Sequence, residues 1–218
     1  MSDTYKFEYF NARGLGEITR YLFALAGKEF EDFRYPLILP NFDRPEYEAA
    51  RDLGEFRVNM DRVPVLTING TLKIGQSRAI ERYLAKKFGF FGSNEIEELL
   101  IDAVTEHLRD IKQKYNDAKV GKSGEDLTAV KTNFVQNELP KWLDKLEYSL
   151  GKDGYAVGGR VSLADVIIFN FLTEYFDAAN QDDVNALVAA RPSLAGIVSH
   201  VEPLLASYRS SRPQSAFQ

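Results

Sequence analysis

The chain has no cysteine among its 218 residues. That excludes disulfides, thiolate metal sites and a cysteine nucleophile. Histidine is nearly as scarce. His107 and His200 are the only two, so a multi-histidine metal centre is excluded as well and no metal is expected. Positive charge is in deficit, with 27 Lys and Arg against 32 Asp and Glu and a formal net charge of −5. The basic residues form no stripe, which argues against a nucleic-acid partner, because phosphate binding needs clustered cations. Long apolar runs are missing too. The most apolar stretch, 161–172, is interrupted by Asp165 and Asn170 and falls far short of a membrane span. The first six residues hold no apolar run, so no signal peptide is expected and the chain reads as soluble and cytoplasmic.

What is present is an ordinary globular composition, 44% hydrophobic and 27% charged. The length accommodates two packed domains. Residues 5–9 alternate large and polar side chains and predict a first strand. A turn at 11–14 leads to 17–26, where Ile18, Tyr21, Leu22 and Leu25 have helical spacing and Gly27 supplies a stop. Residues 29–35 form a candidate second strand. The segment 39–62 contains Pro40, Pro45 and Gly54, with a short helix expected near 46–53. Segments of this length in a compact domain are often functional. Strands at 63–68 and 71–74 flank Asn69-Gly70, whose residues both accept the positive φ of a type I′ hairpin turn. A helix follows from Gln76-Ser77 to about Lys87. The result is a compact α/β unit over 1–88. From 95 to 218 helical periodicity takes over, with helices expected at 95–118, 127–150, 162–177 and 192–207, a loop at 121–126 and a Gly-rich connection at 151–159.

With no cysteine and two separated histidines, ordinary nucleophilic catalysis is poorly supplied. The remaining route is to activate a nucleophile that arrives with a ligand. Tyr9-Phe10-Asn11-Ala12-Arg13-Gly14 resembles the opening of tyrosine-type glutathione transferases. So do Val63-Pro64-Val65-Leu66 and, after the hairpin, Gln76-Ser77-Arg78-Ala79-Ile80-Glu81. Val161-Ser162-Leu163-Ala164-Asp165 resembles the capping motif of their helical domain, and Arg212-Pro213-Gln214-Ser215-Ala216-Phe217 resembles sigma- and mu-class chain ends. The motifs run in the family's order across nearly the whole chain, with the sigma class as the nearest fit. The resemblance implies a thioredoxin-like N-terminal domain followed by an α-helical C-terminal domain, and an isologous homodimer. It also implies glutathione as co-substrate, with no tightly bound cofactor, and a hydrophobic small-molecule electrophile as acceptor.

It further implies roles for individual residues. Tyr9 would donate its hydroxyl to the glutathione sulfur. A free thiol has a pKa of roughly 8.5, and lowering it by about two units is worth about 2.7 kcal/mol. A hydrogen bond to a charged group supplies roughly 1.5–3 kcal/mol, so a single donor nearly suffices. Val63-Pro64 is a candidate cis peptide whose Val63 backbone pairs with the cysteinyl unit. Gln76 and Ser77, at a helix N-terminus, suit the γ-glutamyl carboxylate. Ser77 also reads as a simple N-cap. Tyr47 and Arg51, four residues apart, and Arg62 are candidates for the glycyl end, with a solvated helix face as the rival for the first two. Asp110 would cross a dimer interface to the γ-glutamyl amine; the rival is an exposed Arg109-Asp110 pair. Glu106, one turn earlier, makes no convincing ion site because Arg109 takes a position that is acidic in some relatives.

The electrophile site is expected between the domains, lined by Phe10, Leu15, Arg109, Tyr115 and the C-terminal tail. Leu15 departs from relatives that carry a basic residue there. Asn69-Gly70-Thr71 reads as a turn rather than a glycosylation sequon. Gly14-Leu15-Gly16 lacks the third glycine of a dinucleotide loop, because position 19 is Thr. Ser162 and Asp165 form a capping box with a folding role. Two other functions fit the same motifs: a glutathione-dependent prostaglandin isomerase, and a non-catalytic ligand-binding or structural relative such as a lens crystallin.

Overall fold

The computed structural model describes residues 3–215. The chain divides into two compact units. One comprises the chain up to Phe88 with the segment from Leu205 onward, and the other is Gly89–Leu204.

The first unit runs β1 (Tyr5–Phe10), α1 (Glu17–Ala26), β2 (Glu31–Tyr35), α2 (Pro45–Asp52), β3 (Val65–Ile68), β4 (Leu72–Gly75) and α3 (Ser77–Phe88). The sheet order is β2-β1-β3-β4, with β1 parallel to β2 and antiparallel to β3. Parallel neighbours need a crossover connection, and α1 supplies it. The two-residue period of β1 sends Tyr5, Phe7 and Tyr9 to one face and Lys6, Glu8 and Phe10 to the other. On the first face Tyr5 meets Phe23 of α1 and Phe88 of α3, with ring centroids 5.3 and 6.1 Å away. Phe7, Leu22, Phe23, Leu66, Ile80 and Leu84 are fully buried. Each such side chain contributes about 1.5–3 kcal/mol of burial free energy. On the second face the Tyr35 hydroxyl donates to Glu8 at 3.1 Å, and the Tyr35 ring lies edge-on to Tyr47 and Phe56. Asn69 and Gly70 take φ values of +52° and +70° at the β3–β4 hairpin, the expected turn.

The second unit contains α4 (Glu95–Lys119), α5 (Gly124–Asn133), α6 (Leu139–Ser149), α7 (Leu163–Glu174) and α8 (Gln181–Ala189), with α9 (Pro192–Ser211) up to Leu204. Almost every residue of α7 is buried, in keeping with a helix that is apolar on all sides. Its start is a reciprocal capping box. Asp165 accepts the Ser162 N–H at 2.8 Å and also the Ala156 N–H at 2.7 Å, which ties the Gly-rich connection to the helix. Burial pushes the Asp165 carboxyl up, and these donors pull it back.

Three departures from the sequence expectation have physical causes. The helix expected over 127–150 is two helices joined by a π-helical turn at Phe134–Glu138. Pro140, which follows, has no N–H for the residue four back and crowds that carbonyl, and a widened turn accommodates both effects. The short α8 was not expected: Val184 and Val188 are its only buried residues, too sparse a pattern to stand out. Finally, although α9 belongs to the helical run expected over 95–218, its segment from Leu205 onward packs with the first unit. The tail sides with the first unit because Arg212 pairs with buried Glu17 at 2.6 Å and donates to the Tyr21 hydroxyl at 3.1 Å, while Tyr208 packs edge-on against Tyr21.

Asp165→Ala strands two buried N–H groups. It is expected to lower stability by about 2–4 kcal/mol, read as a shift in the urea unfolding midpoint. A midpoint unchanged from wild type would remove the capping box from this account of α7.

Candidate active site

Tyr9 lies near the end of β1 and is 8% exposed. The chain then turns tightly through a 3-10 segment at Gly14–Gly16, and the Leu15 N–H in that turn donates to the Tyr9 hydroxyl oxygen at 3.2 Å. The two glycines make this approach possible. A Cβ on Gly14 would lie 2.8 Å from the Tyr9 hydroxyl, and one on Gly16 would lie 2.6 Å from the ring. Gly14-Leu15-Gly16 is therefore a seat for a phenol. Behind it sits Arg20, fully buried, whose guanidinium donates to the carbonyls of Ala12 at 2.7 Å and Phe10 at 3.3 Å and pairs with Glu17 and Asp32. Arg20 thus holds the backbone on the far side of Tyr9. Asn11 Oδ1 and Arg13 Nε nearby are buried with no hydrogen-bond partner among the described residues.

A second edge forms where β3 and α3 begin. Val63-Pro64 is cis, and Val63 is buried just before β3. Gln76 has φ +71°, a conformation that costs a residue with a side chain about 1–3 kcal/mol and that clusters at functional sites. Its carbonyl accepts the Ile80 N–H at 3.0 Å, which makes Ser77 the first residue of α3 rather than its cap. The Gln76 N–H donates to Asn59 Oδ1 at 3.1 Å.

Profiles of two glutathione S-transferase domains match the chain, the N-terminal domain over residues 5–86 and the C-terminal domain over 109–212. Glutathione S-transferase 3 of Caenorhabditis elegans is 35% identical over 187 residues, covering 83% of this chain and 84% of its own. This chain belongs to the glutathione S-transferase family. Hematopoietic prostaglandin D synthase of Gallus gallus is 31% identical over 217 residues, with 97% and 98% covered. A solved structure described as a monomeric glutathione S-transferase of the hookworm Necator americanus superposes with a TM-score of 0.78 at 27% identity, over 98% of this chain and 100% of that one.

The transferase treats its other expected site residues unequally. Tyr47 is neither solvated nor free. Its hydroxyl donates to the Asp61 carbonyl at 2.8 Å, and its ring packs on Phe10, Tyr35 and Phe56. The hydroxyl is spent on anchoring α2 to the segment ahead of Val63. Arg51 is partly exposed, pairs with Asp52 at 2.9 Å and lies 6.0 Å from the centre of the Tyr47 ring. Arg62 is exposed and donates to the Asn59 carbonyl at 3.5 Å. Phe10 is half-buried and Leu15 is 59% exposed. In the helical unit Asp110 and Arg109 are exposed and 4.0 Å apart, and Arg109 pairs more closely with Glu106 at 2.7 Å. Tyr115 differs most from expectation. Its ring is buried among Phe134, Tyr175 and Phe176, so it is a core residue rather than one that faces an electrophile. Of the tail, Ala216 and Phe217 lie outside the described residues.

Sequence reasoning missed Asn59 and Arg20. Asn59 sits in an irregular segment whose neighbours give no periodic signal. Arg20 occupies a helix position where an exposed side chain is the ordinary expectation.

Burial pushes the Tyr9 phenol above its ordinary value of 10.0, and the Leu15 N–H and Arg20 act against that shift without cancelling it. Tyr9 is accordingly protonated at neutral pH and able to donate. The sign for stability follows: folding favours the neutral phenol. Its contribution is complete below pH 10.0 and is lost as pH rises through the higher folded-state value. Alkaline difference titration of wild type against Tyr9→Phe, read as tyrosinate absorbance, should show one phenol with a midpoint above 10.0. A midpoint below that would contradict the burial argument.

Proposed function

We propose that this glutathione transferase is of the tyrosine type and sigma-like, and that the Tyr9 hydroxyl activates glutathione for attack on hydrophobic electrophiles. The observation that carries the reading is the seated phenol. Tyr9 accepts an N–H from Leu15, keeps its own proton, and has no acceptor for that proton among the described residues. A thiolate beside it completes the hydrogen bond. The glutathione sulfur releases its proton to solvent, Tyr9 donates to the resulting anion, and the anion attacks the electrophilic carbon; with a substrate such as chlorodinitrobenzene the carbon–sulfur bond forms as the carbon–chlorine bond breaks, and chloride leaves to solvent. Tyr9 stays neutral throughout, so no proton needs to be returned to it.

The rest of the tripeptide is assigned by chemistry. The Val63 backbone pairs with the cysteinyl unit. Gln76 and Ser77, at the start of α3, take the γ-glutamyl carboxylate, which the helix dipole favours. With the Tyr47 hydroxyl committed to Asp61, the glycyl carboxylate is left to the guanidinium groups of Arg51 and Arg62, and the Tyr47 ring supports Arg51 by packing. Asp110 is assigned to the γ-glutamyl amine across a homodimer interface. Phe10, Leu15 and Arg109 are assigned to the electrophile, and the role is detoxification in the cytoplasm. Light scattering tests the dimer directly: a monomer, the state named for the hookworm neighbour, would leave Asp110 without its assigned role.

A second reading rests on the 31% identity to the avian prostaglandin D synthase over nearly all of both chains. In it the same thiolate opens an endoperoxide and glutathione is regenerated. Product analysis separates the two, because isomerisation consumes no glutathione and conjugation consumes one per turnover.

The decisive experiment compares chlorodinitrobenzene conjugation by wild type and Tyr9→Phe. Losing one hydrogen bond to a developing thiolate should cost about 2–3 kcal/mol, or about 30- to 150-fold in kcat/KM. Thiolate absorbance of the glutathione complex should disappear in parallel. Equal activity in the two proteins would exclude Tyr9 as the activating group.

A further inference from the structure

The side chain of Asn59 bridges backbone segments that are distant in sequence. Its Nδ2 donates to the carbonyls of Arg62 at 3.1 Å and Pro64 at 3.0 Å, and its Oδ1 accepts the Gln76 N–H at 3.1 Å. The residue is only 5% exposed, so water cannot substitute for these contacts. Its two donors and one acceptor are all engaged, a combination that a short neutral side chain offers only as a carboxamide. Gly75 lies so close that a Cβ there would collide with the Asn59 side chain. The geometry is therefore closed from both directions: the amide cannot move toward β4, and nothing but glycine fits beside it.

We propose that Asn59 is the positioning residue of the glutathione-binding edge. The two segments it joins are those that flank Val63 and begin at Gln76. They enter and leave the β3–β4 hairpin at its open end, where Val65 pairs with Gly75, and Gln76 is held there with φ +71°. The Asn59 carboxamide fixes their backbones in register, so that the cysteinyl and γ-glutamyl units of one tripeptide meet both at once. Asn59 touches no reacting atom. It acts on affinity, leaving the Tyr9 hydroxyl where it is. This inference rests on the assignment of Val63 and Gln76 to glutathione.

Two variants test it. Asn59→Asp keeps the shape and the acceptor for Gln76 but turns a carboxylate oxygen toward two carbonyl oxygens. Asn59→Ser replaces the two amide N–H donors by a single, shorter hydroxyl without adding charge. In each, the Kd for glutathione, measured by calorimetry at about pH 8, is expected to rise about tenfold or more. The kcat at saturating glutathione should stay within about twofold of wild type, a KM-against-kcat split expected of lost uniform binding. The Asp variant has a further signature. Burial against carbonyl oxygens raises its pKa, so lowering the pH to about 5 restores an O–H donor and should recover several-fold of the lost affinity, while Asn59→Ser shows no such recovery. Thermal melts of all three proteins show how much is folded at each pH. Wild-type Kd in a folded Asn59→Ser would overturn the inference, as would losses in affinity and kcat that track the folded fraction with no recovery in Asn59→Asp. Wild-type protein that binds no glutathione would instead remove the functional assignment, and this inference with it.

Discussion

A phenol that is to hold a thiolate must be buried deeply enough to keep its own proton and placed so that this proton points away from the protein. The Leu15 N–H resolves the conflict by taking a lone pair of the Tyr9 oxygen from one side, which orients the hydroxyl and leaves the donor direction open. Everything around that contact serves its geometry. The end of β1 sets the ring, the Gly14–Gly16 turn comes within van der Waals reach of it, and Arg20 secures the carbonyls of Phe10 and Ala12 that flank the bend.

Arg20 is itself an expense, since a guanidinium with no exposure has lost its hydration. The cost is offset by two carboxylates and two carbonyls, which between them span α1, β2 and the turn after β1. Glu17 extends the network to Arg212 and the Tyr208 hydroxyl. A buried ionic cluster of this kind adds little net stability when replaced whole, but it tolerates few alternative arrangements. It brings the last turn of α9 and the tail, with the Ser215 hydroxyl donating to the Asn11 carbonyl, up to the segment that carries Tyr9. The same economy appears at the second edge. There a neutral amide, Asn59, joins the backbone segments in place of ion pairs.

Much of this was legible because it is local. The Asn69-Gly70 turn, the Gly27 stop of α1, the capping box of α7 and the helix that opens at Gln76-Ser77 each follow from backbone preferences acting over a few residues. The alternation in β1 likewise shows which side Tyr9 faces. The misses share an opposite character. Tyr115 is expected to line the electrophile site, and only the packing of Phe134, Tyr175 and Phe176 around it makes it core. The break near Phe134 depends on Pro140, whose effect falls several residues upstream of where a helix stop is sought.

Short-range periodicity and turn chemistry, which need no knowledge of distant residues, supplied most of the strands and helices but not α8 or the break between α5 and α6, and resemblance to the family's motifs singled out Tyr9. Tertiary structure decided which polar groups are spent and which remain available. Asn59, Arg20 and Glu17 are polar residues without special spacing, and the four-residue interval between Tyr47 and Arg51 does not reveal that the Tyr47 hydroxyl is bonded to Asp61. Tyr47, Asn59, Arg20 and Glu17 each find a partner on a chain segment between 12 and 195 positions away. A hydrogen bond is set by distance in space, and long-range packing alone brings those atoms within reach.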